Sequence, residues 1–328
     1  MTLESSAIRT TNEARKAISA GIEAEIRALH QIKPQQQLIY VLYPLLAVMG
    51  VVVELDAYGR GLGWNLASVQ YGVGVVVVAL AMNAMFLLIH EAVHGVLSGR
   101  SWINHSVAVV LGIAGGVSFY AYRVMHLRHH EYLGDENDPD DYHNYTQNPT
   151  LVWLLHYNRL LWATLLYLIF VPKLAWRYGN RGDRINIITE YFLLGLFYTV
   201  LFLFVPIKVF AIVWLVPFLL ANFMINLRGL TQHGITDATD PFIASRTVEA
   251  NSVTRFLLLN ENFHFEHHLF PGVPSSNLLR LHQLINQRLP RRVSCPSYSS
   301  FLFQFIRASL RQDESPIGFK ELHSPQKT

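Results

Sequence analysis

Four long stretches of this chain carry no charged side chain, and they fall into two pairs. Residues 38–53 (LIYVLYPLLAVMGVVV) and 61–89 form the first pair. Residues 191–207 and 209–227 form the second, split by Lys208 beside Pro206. A bilayer core takes about 20 consecutive apolar residues per helix. The second run, at 29 residues, exceeds that and predicts a helix that protrudes beyond the membrane. The first and third are slightly short of a full crossing. The pattern predicts four transmembrane helices.

Two further apolar stretches fit less well. Residues 106–122 are uncharged but hold Gly112, Gly115 and Gly116. Residues 151–171 hold His156 and Arg159, which leaves only 160–171 free of them. Both are read as re-entrant or interfacial segments. Ahead of the first run, Ile18, Ile22, Ile26 and Leu29 recur at helical spacing, which predicts an interfacial or packing helix. The expected organisation is an N-terminal amphipathic segment over 1–37, a membrane domain over 38–290 and a tail over 291–328.

Composition agrees with this division. The chain is 51% hydrophobic and 15% charged, against about 25% charged in ordinary soluble domains. It opens MTLESS, with no small-residue cleavage site after the first apolar run, so no signal peptide is expected. With four crossings, 24 of the 26 Lys and Arg residues fall on one side. The positive-inside rule makes that side, with both termini, cytosolic. A single cysteine, Cys295, excludes an intrachain disulfide, a four-cysteine zinc site and Cys-x-x-Cys redox chemistry. No nucleic-acid partner is expected.

The chemistry lies in the histidines. Eight of the fifteen fall in three clusters: His90-Glu-Ala-Val-His94, His126-Leu-Arg-His129-His130 and His264-Phe-Glu-His267-His268. At this histidine content a His-x-x-His-His pattern should arise by chance about 0.03 times; it occurs twice. Positions i, i+3 and i+4 share a helix face, so each cluster directs two or three imidazoles one way. Neutral imidazole suits iron, copper, nickel and zinc. Eight rings are too many for one ion of about four to six ligands, and two ions is the economical count. Shared ions place all three clusters on one side of the membrane. The 106–122 segment between the first two then does not span, while the hairpin 191–227 supplies two crossings.

His233, in Arg228-Gly-Leu-Thr-Gln-His233, follows the fourth run on the same side and is a further candidate ligand. His30, His105, His143, His156 and His323 match no cluster, and His282 is at most a neighbour of the site. Glu91, Glu131 and Glu266 adjoin cluster histidines. They are candidate acceptors that orient a ligand ring, or plain solvated charges. The acidic run Asp135-Glu-Asn-Asp-Pro-Asp-Asp141 reads as a solvated turn, in preference to Asp135 or Asp138 bonding a ligand histidine.

Taken together, the three clusters resemble the histidine boxes of the integral-membrane fatty acid desaturase superfamily. The likeness covers roughly residues 38–290. The run Glu-His-His-Leu-Phe-Pro-Gly-Val-Pro, into which the third box extends, looks more like the acyl-lipid branch than the carotenoid ketolase branch. Arg-Gly-Leu-Thr-Gln-His233 resembles the segment that supplies an additional histidine ligand. The resemblance implies an all-α integral membrane fold, with four transmembrane helices under a cytosolic helical cap. The cap would hold two irons on His90, His94, His126, His129, His130, His233, His264, His267 and His268. It further implies O2 as co-substrate and a long-chain acyl lipid as substrate, in a bacterial inner membrane or the endoplasmic reticulum. Phe86, Trp153, Tyr157 and Phe223 are candidate tunnel walls but read more simply as packing. The chain shows no cytochrome b5 haem motif, no Gly-x-Gly-x-x-Gly and no cysteines for an iron–sulfur cluster. Electrons are therefore expected from an external donor: ferredoxin, rubredoxin or cytochrome b5.

Other readings are weaker. His90-Glu-x-x-His94 alone is the signature of a zinc protease helix with Glu91 as general base, but it leaves at least five clustered histidines without a role. A metal transporter would set ligands near the bilayer midplane, whereas these flank the spans. A hydroxylase or ketolase of the same superfamily, acting on an alkane, acyl lipid or carotenoid, is the nearest alternative.

Overall fold

A computed structural model describes residue 8 and residues 10–142, 145–237, 239–290 and 292–311. Two short helices, α1 (Thr11–Ser19) and α2 (Glu23–Leu29), and a single turn, α3 (Pro34–Gln37), precede α4 (Leu42–Gly59). There follow α5 (Leu66–Val93), α6 (Ser101–Gly115), α7 (Phe119–Tyr132), α8 (Pro149–Tyr178) and α9 (Arg181–Phe204). Helix α10 (Ile207–Phe210) runs through a π turn, Ala211–Leu215, into α11 (Val216–His233). The rest holds α12 (Ser252–Leu257), α13 (His264–Leu269), α14 (Ser275–Ile285) and α15 (Tyr298–Arg311). Two three-residue strands, β1 (Arg246–Val248) and β2 (Val293–Cys295), pair in parallel. The protein is an all-α membrane protein in two compact units. One is Ile32–Met125 with Thr164–Ile225; the other is Met1–Gln31, His126–Ala163 and Asn226–Thr328.

In the first unit the long apolar runs become long helices. Among the described residues, four are long and apolar enough to cross a membrane: α4, α5, α9 and the Ile207–His233 run. Helix α9 turns Phe192, Leu196, Phe197, Val200 and Leu203 outward. Water would penalise that row by roughly 25 cal/mol per Å²; lipid tails accept it. Helices α4 and α5 close on glycines. A Cβ on Gly50 would lie 2.6 Å from Val78 Cγ2, and one on Gly74 2.6 Å from Glu54 Cγ. Small residues permit this approach where lipid supplies no hydrophobic drive between helices. At 28 residues, α5 is about 42 Å long against a hydrocarbon core of about 30 Å, so its final turns outrun the bilayer.

The glycine-rich 106–122 segment does not form one straight span. Helix α6 stops at Gly116, whose φ of 75° only glycine adopts freely, and α7 leaves at 109° to α6. Glu190 of α9 seals the corner. Its buried carboxylate accepts the Phe119 N–H at 2.7 Å, the Tyr120 N–H at 3.0 Å and the Ser118 hydroxyl at 2.7 Å. Those amides open α7 and have no partner within the helix, and an acidic group there meets the helix dipole. Residues 151–171 fall inside α8, one continuous helix of 30 residues that includes Pro172; it is not a re-entrant turn.

In the second unit the N-terminal stripe is a packing element. Ile18, Ile22 and Ile26 bury against Phe263, Leu269, Leu278 and Leu281, so α1 and α2 share a core with α13 and α14. Arg15 Nε donates to the Leu269 carbonyl at 2.5 Å, and Asn277 Nδ2 to the Leu29 carbonyl at 2.8 Å. Of the tail expected over 291–328, residues 292–311 form β2 and α15.

Candidate metal centre

Helix α7 brings His126, His129 and His130 onto one face by their i, i+3, i+4 spacing. Helix α13 does the same for His264, His267 and His268 within six residues, and His233 ends α11. These seven rings of the second unit converge. The Nε2 atoms of His126 and His130 lie 3.1 Å apart, and those of His130 and His267 3.3 Å. A second set joins His129 to His233 at 3.3 Å, His233 to His264 at 2.9 Å and His264 to His268 at 3.0 Å. Ligand nitrogens of His126, His130 and His267 all fall within 4.8 Å of one another, as do those of His129, His233 and His268. The His130 and His268 rings stack at 4.1 Å where the sets meet.

The outer nitrogens show which edge carries the proton. His129 Nδ1 lies 3.0 Å from both oxygens of Asp138. His264 Nδ1 lies 3.3 Å from Glu261 Oε2, and His233 Nδ1 3.4 Å from the Ala244 carbonyl. Each acceptor takes an Nδ1–H, so in these neutral rings Nε2 holds a bare lone pair. Three lone pairs facing one another at 2.9–3.3 Å cannot hydrogen-bond; a cation between them turns repulsion into coordination. Bonds of about 2.1 Å to one ion put neighbouring nitrogens about 3.0–3.4 Å apart, which the observed separations match. The donor set therefore fits metal ions, and neutral imidazole donors suit iron, copper, nickel and zinc alike. Burial drives His268 well below its ordinary pKa, with the neighbouring histidines adding to the effect, so its lone pair stays free at neutral pH. Burial also pulls His129 down, but Asp138, helped by Asp140, outweighs it and the net shift is upward.

In the first unit, His90 and His94 close α5 with rings 5.0 Å apart at 74°. His90 is buried, as is the adjacent Glu91.

Several expected partners fall elsewhere. Glu131 is exposed. Glu266 is fully buried, but it is bonded away from the converging rings: Thr247 donates to it at 2.8 Å, and His282 Nδ1 lies 2.5 Å from its other oxygen. The reason is helical phase. Residue 266 lies about 200° around the axis from 264, and residue 131 about 140° from 126. Asp138, expected to be solvated, is buried against His129, whereas Asp135 turns the loop by accepting both amides of Asn137. Glu261 went unnoticed in the sequence. It is fully buried, with its second oxygen 3.8 Å from His267 Nδ1. The other unread anchor is Arg246, whose guanidinium donates to the Thr231, Gly234 and Ile235 carbonyls at 2.5–2.8 Å. It satisfies the carbonyls that the end of α11 leaves open around His233. Backbone strain gathers here too: Ile235, Leu259 and Asn260 all have positive φ and flank His233 or the third box.

The remaining histidines stand apart. His30 Nδ1 meets the Ile26 carbonyl at 2.9 Å, and His105 faces Tyr120. His156 packs on Tyr142. His143 and His323 lie outside the described residues. Among the aromatics, Trp153 and Tyr157 pack on Phe305, and Phe86 on Tyr122.

Comparison with known proteins gives the arrangement its context. Residues 66–299 match the family described as fatty acid desaturase. The sphingolipid delta(4)-desaturase DES1 of Rattus norvegicus is 26% identical over 317 residues, covering 92% of this chain and 88% of that protein. The sn-1 oleoyl-lipid 12-desaturase of a Picosynechococcus species is 22% identical, with 80% of each chain covered. The human sphingolipid delta(4)-desaturase/C4-monooxygenase DES2 is 24% identical over 89% of this chain and 86% of its own length. With its boxes, its apolar helices and a match across most of its length, the chain belongs to the fatty acid desaturase family of membrane oxidoreductases.

Proposed function

We propose that the protein is an O2-dependent desaturase of long acyl chains in membrane lipids. His126, His129, His130, His233, His264, His267 and His268 would hold two irons, with His90 and His94 as the remaining ligands by the box pattern. The observation that carries this is the convergence of imidazole nitrogens at ligand spacing, with the outer edges of His129, His233 and His264 tied to acceptors.

Two bound irons would supply the reduction of O2: with two external electrons and two protons, the oxygens and two hydrogens from adjacent methylenes become two waters and leave a double bond. The chain's own contribution is positional. Asp138 and Glu261 keep protons on the outer nitrogens of His129 and His264, so the inner lone pairs stay aimed inward. Arg246 and the clamp on Glu266 fix the ends of α11 and α13. The electrons come from a separate carrier, a ferredoxin, rubredoxin or cytochrome b5. The metal side faces the cytosol, where Lys and Arg concentrate.

One observation favours a second outcome. A relative of similar length is named both a desaturase and a C4-monooxygenase. The two reactions differ in whether a second hydrogen leaves or oxygen is retained on the chain. Mass spectrometry of lipids from a host expressing the protein separates them: loss of two hydrogens means desaturation, gain of one oxygen hydroxylation. Expression of His267→Ala should give neither. If the wild-type chain also gives neither while carrying iron, the proposal is wrong.

A further inference from the structure

Two helical turns below the first histidine box lies a polar group that the metal chemistry does not use. Asn83 sits in the middle of α5, fully buried, and among the described residues neither Oδ1 nor Nδ2 has a hydrogen-bond partner. Packing against α4 does not explain it. That contact runs along Gly74 and Val78, and Asn83 projects about 180° and 140° away from them around the axis. The direction it does share is that of the box. His90 and His94 follow by seven and eleven residues, each within about 20° of Asn83. The amide thus lies on the ligand-bearing face, about 10 Å along the axis from His90, between the buried Ala79 and Leu87.

A carboxamide has two donors and an acceptor. Left unpaired in an apolar interior it is costly, and the few such groups in native proteins call for an explanation by function or ligand. Leucine, of similar size, would fill the place without that cost. The run 61–89 holds no charged residue, so nothing on this face matches a carboxylate or a phosphate. The complementary group is neutral and hydrogen-bonding.

We propose that Asn83 reads a hydroxyl or amide group on the lipid that lies along this face of α5, and so selects such lipids over plain acyl chains. The inference rests on the desaturase reading, because that reading places a lipid beneath the box. Sites that hydrogen-bond a substrate group discriminate strongly, since the analogue leaves their buried polar atoms unpaired.

The test is equilibrium binding to the full-length, iron-loaded protein in nanodiscs, with three chain-matched saturated lipids. They are an N-acyl sphinganine, carrying amide and hydroxyls; a glycerolipid with a hydroxyacyl chain; and a glycerolipid with plain acyl chains. The wild-type protein should bind one of the first two at least tenfold more tightly than the third, and which one identifies the source of the group. Asn83→Leu should shrink the ratio below about twofold with iron content unchanged. Asn83→Ala, which removes the amide without adding bulk, should do the same, and it decides the matter if Asn83→Leu fails to hold iron. Equal affinity for all three lipids, no binding of any, or a ratio that survives both substitutions overturns the proposal. Binding is read without turnover, so failure of the desaturase reading stays distinct. A chain that discriminates lipids yet yields no double bond refutes that reading alone; one that desaturates all three but binds them alike refutes this one.

Discussion

Helices α7 and α13 carry the same three-histidine spacing but keep it by different means. Helix α7 has fourteen residues, and its geometry is internal. The i, i+3, i+4 rows come with the helix, and Glu190 caps its start. Helix α13 has six residues, far below the roughly 12–15 at which isolated helices become even marginal in water. Its geometry is imposed from outside. Arg15 takes the carbonyl of its last residue. Glu266 is clamped between Thr247 and His282. Glu261 lies against His264 and His267, and Leu259 and Asn260 bend the chain through left-handed backbone just upstream. An identical motif can thus depend on its own helix in one place and on distant residues in another.

The strongest test of that contrast is Glu266→Ala. It strips a buried acceptor from Thr247 and His282 at once. Breaking such a buried pair costs about 3–5 kcal/mol, a large part of a total stability of about 5–15 kcal/mol. Thermal melting of the purified protein should show a marked loss for Glu266→Ala and a similar one for His282→Ala. The double variant should be no worse than the poorer single, because both remove one interaction. Melting of Glu266→Ala at the wild-type temperature would mean that α13 does not depend on this clamp.

A smaller effect separates the two carboxylates that face ligand rings. Removing such an outer partner costs about 10–100-fold in metal affinity. Glu261→Gln should fall at the upper end, since Glu261 serves two rings of a helix that cannot hold itself. Asp138→Asn should fall near tenfold, because α7 keeps His129 in place without help. Iron titration of both variants gives the order directly, and the reverse order would break the comparison.

Why these partners were hard to read from the chain is a matter of geometry. The spans were legible because a bilayer demands long uncharged runs, and the convergence of the box imidazoles because rings three and four residues apart share a helix face. Acceptors for the outer nitrogens obey no such period. Glu131 and Glu266 adjoin box histidines in sequence, but each helical residue turns about 100° from the last, so both point off the face that carries the converging rings. The acceptors in place are Asp138, nine residues beyond His129 across a turn, and Glu261, in an irregular segment upstream of α13. The direction of Glu261 depends on the left-handed Leu259 and Asn260, and nothing in a leucine announces that conformation.

The smallest expected effect tests the same reasoning from the other side. Glu131 directly follows His130, a proposed ligand, and is exposed. If adjacency in sequence mattered, neutralising it would cost as much as neutralising Asp138. If helical phase decides, Glu131→Gln should change stability by no more than about 0.5 kcal/mol, as surface substitutions do, and iron affinity by less than about twofold. Asp138→Asn in the same titration supplies the scale. A loss in Glu131→Gln that matched it would show the charge acting on His130 through solvent, and helix phase would no longer suffice to tell which carboxylates orient the metal ligands.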